Sequence, residues 1–381
     1  MVATRRKAVH MTISVAERAE LAAAVRELLQ NECTEQDVRQ TISSDEGYDP
    51  QLWRKLAAQG VTGLLIDPEY GGVGLGALEL EAVAEETGAA LLPAPFIGSA
   101  VLATALIEAA GTAEDKQRLL PGLAEGTSIA TVAVTGARGT WAKEGVAVKA
   151  TERADGHTLN GNAHYVLSGQ IADVLLVVAR TGGDDVGGVG IFEVTPDATG
   201  LTRAAATVFD PSVRLSTFTF TDTPARRIGT AGWDAVSHAL DLAVIALAGE
   251  QVGGTRRIFD ITIDYLKTRI QFGRAIGSFQ ALKHMAADLL VQVESSTSAA
   301  QHAAAEKAAG SDDAAGAIAL AGFFCAEAYN TTAMQAVQMH GGIGFTWEHP
   351  AHLFVRRART GLQLFGSSAQ HRERYLTAKG A

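Results

Sequence analysis

Between residues 128 and 227 the apolar positions of this chain alternate with polar ones, whereas on either side they recur at three- and four-residue spacing. A helix would scatter a period-two pattern around its whole circumference, so the chain must be built in three blocks. The first, residues 15–126, carries Ala- and Leu-rich helical segments such as 17–29 and 52–59, separated by turns such as Tyr48-Asp49-Pro50. In the middle, Val-, Thr- and Phe-rich runs at 129–134, 174–179, 190–194 and 216–221 are broken by Gly-Asp and Gly-Gly turns, which predicts a compact β domain. Beyond Gly232 helical spacing resumes over 235–269, 279–309, 314–340 and 348–378, with Gly310, the Gly341-Gly342 pair and Pro350 as stops. Long helices joined by short loops predict an antiparallel four-helix bundle. The expected class is α+β, with domains at 1–126, 127–229 and 230–381.

Composition narrows the functions such a chain can serve. With 381 residues and 47% hydrophobic content it can bury a large core. A formal net charge of −10 argues against nucleic acid as a partner, because phosphate backbones are held by a dominant field of Lys and Arg. The start carries Arg5, Arg6 and Lys7 but continues into polar and acidic residues rather than an apolar stretch, so a cytoplasmic location is expected. The longest apolar run, residues 242–249, is far short of a membrane span. Cys33 and Cys325 form no C-x-x-C pair and have no His cluster nearby, which predicts neither a disulfide nor a metal site.

Three segments stand out chemically. Tyr70-Gly71-Gly72-Val73-Gly74-Leu75-Gly76 superficially looks like a dinucleotide loop, but it lies inside a helical block rather than after a buried strand, so it reads as a turn. Arg269-Ile270-Gln271-Phe272-Gly273 lies between two helices and is followed by Gln280. It reads equally as a helix-loop-helix corner or as a site where the Arg269 fork meets a pyrophosphate, Phe272 stacks on a flat ring and Gln280 offers an amide. In Gln338-Met339-His340-Gly341-Gly342-Ile343-Gly344-Phe345 a helix stop explains one glycine; the others would let backbone N–H groups approach a phosphate or ribityl chain closely.

In order and approximate spacing, these segments closely resemble the acyl-CoA dehydrogenase family over essentially the whole chain. The resemblance implies that the middle domain is a β-barrel and that the cofactor is FAD. It further implies that Arg269, Phe272 and Gln280, with Gln338, Gly341 and Gly342, contact the FAD across a subunit interface. Val134 and Thr135 in Val132-Ala133-Val134-Thr135, and Tyr165 and Leu167 in Asn162-Ala163-His164-Tyr165-Val166-Leu167-Ser168, match positions that border the flavin ring. Ser367 and Ser368 are further expected cofactor contacts.

The sequence also departs from that pattern. Most members carry a Glu base near the C-terminus, before Gly-Thr; here the matching stretch is Gln363-Leu364-Phe365-Gly366-Ser367-Ser368, and Phe365 cannot accept a proton. The backbone at Phe365 and Gly366 can still bond a thioester oxygen. The position of an alternative base used by some branches is Ala243, and Glu250 lies two turns further along the same face. Set among Ala, Leu and Val, Glu250 has the desolvated surroundings a thioester base needs, and is the candidate base. It reads equally as an ion-pair partner for an Arg such as Arg256 or Arg257. Asp241 falls where the family contacts acyl-CoA, although the Arg expected three residues later is Val244; Arg138 is a further candidate for a CoA phosphate.

The C-terminal stretch His352-Leu353-Phe354-Val355-Arg356-Arg357-Ala358-Arg359 resembles the bacterial branch that handles steroid and other bulky acyl groups, often as α2β2 assemblies. The expected activity is therefore FAD-dependent α,β-desaturation of an acyl-CoA thioester, with an electron-transfer flavoprotein as acceptor, in a homotetramer or in an α2β2 heterotetramer with a paralogue. A non-catalytic partner subunit and a flavin monooxygenase or oxidase on the same fold are the alternatives.

Overall fold

The computed structural model describes residues 13–154, 156–182 and 188–380; the basic start at Arg5, Arg6 and Lys7 lies outside them. The first block is helical: α1 Val15–Glu32, α2 Glu35–Ile42, α3 Pro50–Ala58, α4 Ala77–Ala89, a π-helical stretch Phe96–Ala103 running into α5 Thr104–Ala110, and α6 Ala113–Ala124. Its boundaries are written locally. Ser14 with Glu17, Thr34 with Asp37 and Thr112 with Asp115 form capping boxes at the starts of α1, α2 and α6, and Asp49 caps α3 ahead of a first-turn proline. The glycine run after Tyr70 is a turn, as its context predicted: Gly71 and Gly74 take left-handed φ of 87° and 73°, and a Cβ on Gly72 would stand 2.1 Å from the Ile66 carbonyl oxygen.

The middle block contains β1 Ala130–Ala133, β2 Lys149–Arg153, β3 Gly156–Leu167, β4 Val174–Thr181, β5 Gly188–Val194, β6 Leu201–Ala205 and β7 Leu215–Arg227. The pairings β4–β2, β2–β3, β3–β7, β7–β5 and β5–β4 return to their starting strand, so the sheet closes into a barrel, with β1 added to β4 and β6 to β7. Closure leaves few free edges, and Phe192, Phe218, Phe220 and Leu159 fill the interior.

The last block opens with α7 Trp233–Thr268, followed by a hairpin of β8 Ile270–Gln271 and β9 Arg274–Ala275, then α8 Gln280–Ala309 and α9 Ala314–His340. The expected fourth helix over 348–378 is two helices, α10 Ala351–Gly361 and α11 Ser368–Ala378. It breaks because Phe365 and Gly366 take φ of 58° and 128° and Ser367 caps a new start. By length and composition α7 is apolar enough to cross a membrane, a property the shorter 242–249 run did not reveal, but 83% of its apolar window is buried inside the chain. It is the axis of the molecule, packed on α4, α8 and α9, and one continuous apolar cluster joins it to the helical first block and one face of the barrel. Cys33 and Cys325 are both buried free thiols.

Candidate functional site

Glycines set the height of Glu250. A Cβ on Gly88 of α4 would stand 1.9 Å from the Glu250 carbonyl oxygen, and one on Gly253 of α7 would stand 1.8 Å from that of Glu85. The two helices thus cross backbone to backbone, which only residues without a Cβ permit. This close crossing delivers the Glu250 side chain to a cleft where all three blocks meet.

That cleft is narrow, with about 40 Å³ of free space inside it, and Leu92, Phe96, Leu167, Ser212, Arg357 and Leu364 line it together with Glu250. The carboxylate does not stand among aliphatic groups alone. Arg357 Nη1 of α10 lies 2.9 Å from Glu250 Oε1, whereas Arg256 pairs with Glu85 at 2.9 Å, so the ion-pair partner is neither Arg256 nor Arg257. Arg357 is only 3% exposed and every one of its nitrogens is engaged. Its Nε donates to Asp210 Oδ2 at 3.0 Å, and its Nη2 donates to Ser212 Oγ at 2.9 Å and to the Leu91 and Leu92 carbonyls at 3.1 and 3.2 Å. Burial opposes the guanidinium charge, but Glu250 and Asp210 outweigh it and hold Arg357 above its ordinary range.

A second group of candidate residues gathers around the loop after β1. Val134 and Thr135 are buried, the Thr135 hydroxyl donates to the Thr140 carbonyl at 2.8 Å, and Tyr165, at φ 58°, donates its hydroxyl to the Ala137 carbonyl at 3.0 Å. From this loop the Trp141 ring meets the buried Phe365 ring edge-on at 5.0 Å. The barrel is thereby joined to the Phe365-Gly366 turn between α10 and α11. Leu167 faces the Glu250 cleft instead. At the turn the Ser367 hydroxyl caps α11, while Ser368 Oγ is buried with no hydrogen-bond partner among the described residues.

The third group lies on the surface at one end of the bundle. Arg269, Phe272, Gln280, Gln338, Gly341 and Gly342 are all exposed, and Phe272 reaches 91%. Behind them the Tyr265 and His340 rings lie 4.6 Å apart and Leu266 packs with Met339, so the hairpin and the glycine turn form one edge. A Cβ on Gly341 or Gly342 would meet no atom within 4 Å, leaving the backbone there open to approach. The Gly341 N–H itself donates to the Gln338 carbonyl, but an exposed aromatic, an exposed guanidinium, a backbone turn bare of side chains and the orphan Ser368 hydroxyl fit a cofactor with a flat ring and a pyrophosphate. Asp241 has other partners: Lys307 at 3.0 Å and Arg374 at 2.9 Å clasp α7 to α8 and α11. Arg138 lies exposed on the loop.

Arg357, Asp210 and Ser212 were not picked out from the sequence. A signal existed for the first. Arg357 shares the four-residue apolar spacing Leu353, Phe354, Ala358 and Gly361 of α10, so a cation was due to be buried there and to need a carboxylate.

The sequence matches the family models for the acyl-CoA dehydrogenase N-terminal domain over residues 16–127 and the acyl-CoA dehydrogenase C-terminal domain over residues 230–378. It is 33% identical to acyl-CoA dehydrogenase IpdE2 of Mycolicibacterium smegmatis over 92% of this chain and 94% of that one. With acyl-CoA dehydrogenase FadE27 of Mycobacterium tuberculosis the identity is 32% over 89% and 91%. Among solved structures, a chain of the ChsE4-ChsE5 complex from Mycobacterium tuberculosis superposes with a TM-score of 0.88 at 28% identity, covering 97% of this chain and 98% of that one. A variant of the Tcur3481-Tcur3483 steroid ACAD gives a TM-score of 0.86 at 31% identity over 96% and 98%.

Proposed function

Because this chain belongs to the acyl-CoA dehydrogenase family of oxidoreductases, we propose that it binds FAD and introduces an α,β double bond into a bulky, steroid-type acyl-CoA thioester. The observation that carries this reading is the cleft at the seam of the three blocks, which Glu250 lines together with Leu167 and Leu364. Arg269, Phe272, Gln280, Gln338, Gly341 and Gly342 would hold one end of the FAD, and Val134, Thr135, Tyr165, Leu167, Ser367 and Ser368 the other. When bound, FAD supplies a hydride acceptor for the β-hydrogen. Glu250 takes the α-proton, and the backbone N–H groups at Phe365 and Gly366 orient the thioester oxygen. Asp241 borders the acyl-CoA. The exposed edge carrying Phe272 and Gly341 is completed by a second subunit, in a homotetramer or an α2β2 assembly with a paralogue, which works in the cytoplasm and passes electrons to an electron-transfer flavoprotein. A neighbour named as a steroid ACAD supports the bulky acyl group, and two neighbours named as protein pairs support the mixed assembly.

One observation favours a second reading. The Arg357 contact gives Glu250 a structural partner, and Phe365 leaves the other base position without a carboxylate, as suits a subunit that completes the FAD site of a catalytic paralogue. The purified assembly, with FAD, is mixed anaerobically with octanoyl-CoA and with lithocholoyl-CoA, and the flavin bands are followed. Bleaching that is lost in Glu250→Gln with FAD retained supports the base. Bleaching that persists in Glu250→Gln removes Glu250 from the chemistry and leaves the partner-subunit reading.

A further inference from the structure

We propose that Arg357 is the positioning residue for Glu250, so that the angle at which the barrel docks on the helices sets the geometry of the proton-abstracting carboxylate; the inference rests on the base reading given above. The neighbours of Glu250 along α7, such as Ala246, Leu247 and Val252, are apolar and offer its carboxylate no hydrogen bond. A glutamate left alone there would sample several rotamers, and fixing them costs conformational entropy. Arg357 removes that freedom because it is itself fixed from two other directions. Ser212 and Asp210 belong to a barrel turn locked by Ser212 N–H donating to Asp210 Oδ1 at 3.0 Å, and this turn takes the Nε side of the guanidinium. The corner after α4 takes Nη2 through two consecutive carbonyls, and there Leu91 holds a left-handed φ of 52°. A non-glycine residue in that region is strained, and such strain persists where the surroundings over-determine it. The remaining nitrogen, Nη1, meets Glu250. Glu250, Arg357, Ser212 and Leu92 line the same cleft, so the clamp and the reacting site share one wall.

The test compares wild type, Arg357→Met, Arg357→Lys and Asp210→Asn in the assembled, FAD-loaded protein. The rate of flavin bleaching by octanoyl-CoA and lithocholoyl-CoA is measured against thioester concentration from pH 5.5 to 9, and hydrogen exchange is recorded over residues 88–95 and 206–214. A positioning role predicts that Arg357→Met lowers the limiting rate about 100-fold or more while half-saturation moves less than about threefold. The pH midpoint of the rate should shift, and Arg357→Lys, which keeps the charge but not the fork, should recover part of the rate. Exchange should rise in both segments. A limiting rate within about threefold of wild type, or an unmoved pH midpoint with only a lower melting temperature, overturns the proposal. So does unchanged exchange in both segments, whichever thioester reacts and even where Arg357→Met folds poorly and only Arg357→Lys can be studied. Activity retained in Glu250→Gln is a different failure, that of the base reading; an inactive Glu250→Gln beside a fully active Arg357→Met removes the positioning role alone.

Discussion

A Cβ added to Gly88 would stand 1.9 Å from the carbonyl oxygen of Glu250. The position of the candidate base along α7 is therefore decided by how closely α4 can approach, and that approach exists because Gly88 and Gly253 leave room for it.

Gly88→Ala should push α4 off α7. Alanine favours the helix by about 1 kcal/mol, but the clash is with backbone and cannot be relieved by a rotamer change. The net cost is expected near the upper end of the ~1–3 kcal/mol seen for overpacked cores, measured as a fall in the urea midpoint. A variant as stable as wild type would show that the crossing is looser than the geometry requires.

Stability should fall as pH rises from mildly acid to mildly alkaline, and Glu81 is the reason. It is 4% exposed on α4, and burial, with Glu85 beside it, pushes its carboxyl up to about 8. A raised carboxyl favours the folded state most below the unfolded value near 4.5 and loses that advantage as pH climbs to about 8. Glu81→Gln removes the penalty, so its gain over wild type should grow with pH to about 4 kcal/mol by pH 8. His371 acts on the acid side: burial depresses it to about 4, so its contribution is present above 6.5 and is lost as pH falls toward 4. Melting curves of wild type and Glu81→Gln between pH 4 and 9 check both; parallel curves would count against Glu81.

Phe365 fills the position where a carboxylate was missing, and its ring rests on Trp141. Phe365→Ala should cost about 3 kcal/mol or more and alter tryptophan emission. Phe365→Glu buries an unpaired charge there and should be no more stable than the alanine variant. Chemical denaturation followed by fluorescence decides; near-wild-type stability of Phe365→Glu would mean the turn can open to water.

Phe272 is exposed in the single chain, so Phe272→Asp should leave the melting of the isolated subunit within about 0.5 kcal/mol. If the edge is covered in the assembly, the same variant should lose retained FAD and shift to smaller species on gel filtration. Unchanged flavin content and size would place the cofactor elsewhere.

The sequence alone determined the three-block order, because periodicity reflects which face of each element must leave water, and that is a local property. Helix starts were equally local: Ser14 with Glu17 and Thr112 with Asp115 write their own caps. Family motifs were legible too, as contiguous strings around Arg269 and Gly341. What the sequence left open was the company each buried charge keeps. Glu250 and Arg357 are separated by more than a hundred residues, and nothing in either segment names the other. Likewise the break at Phe365 depends on a left-handed backbone that phenylalanine does not announce. Ion pairs and strained turns are settled by which elements come to rest together, so only the tertiary structure could choose among several arginines for one carboxylate.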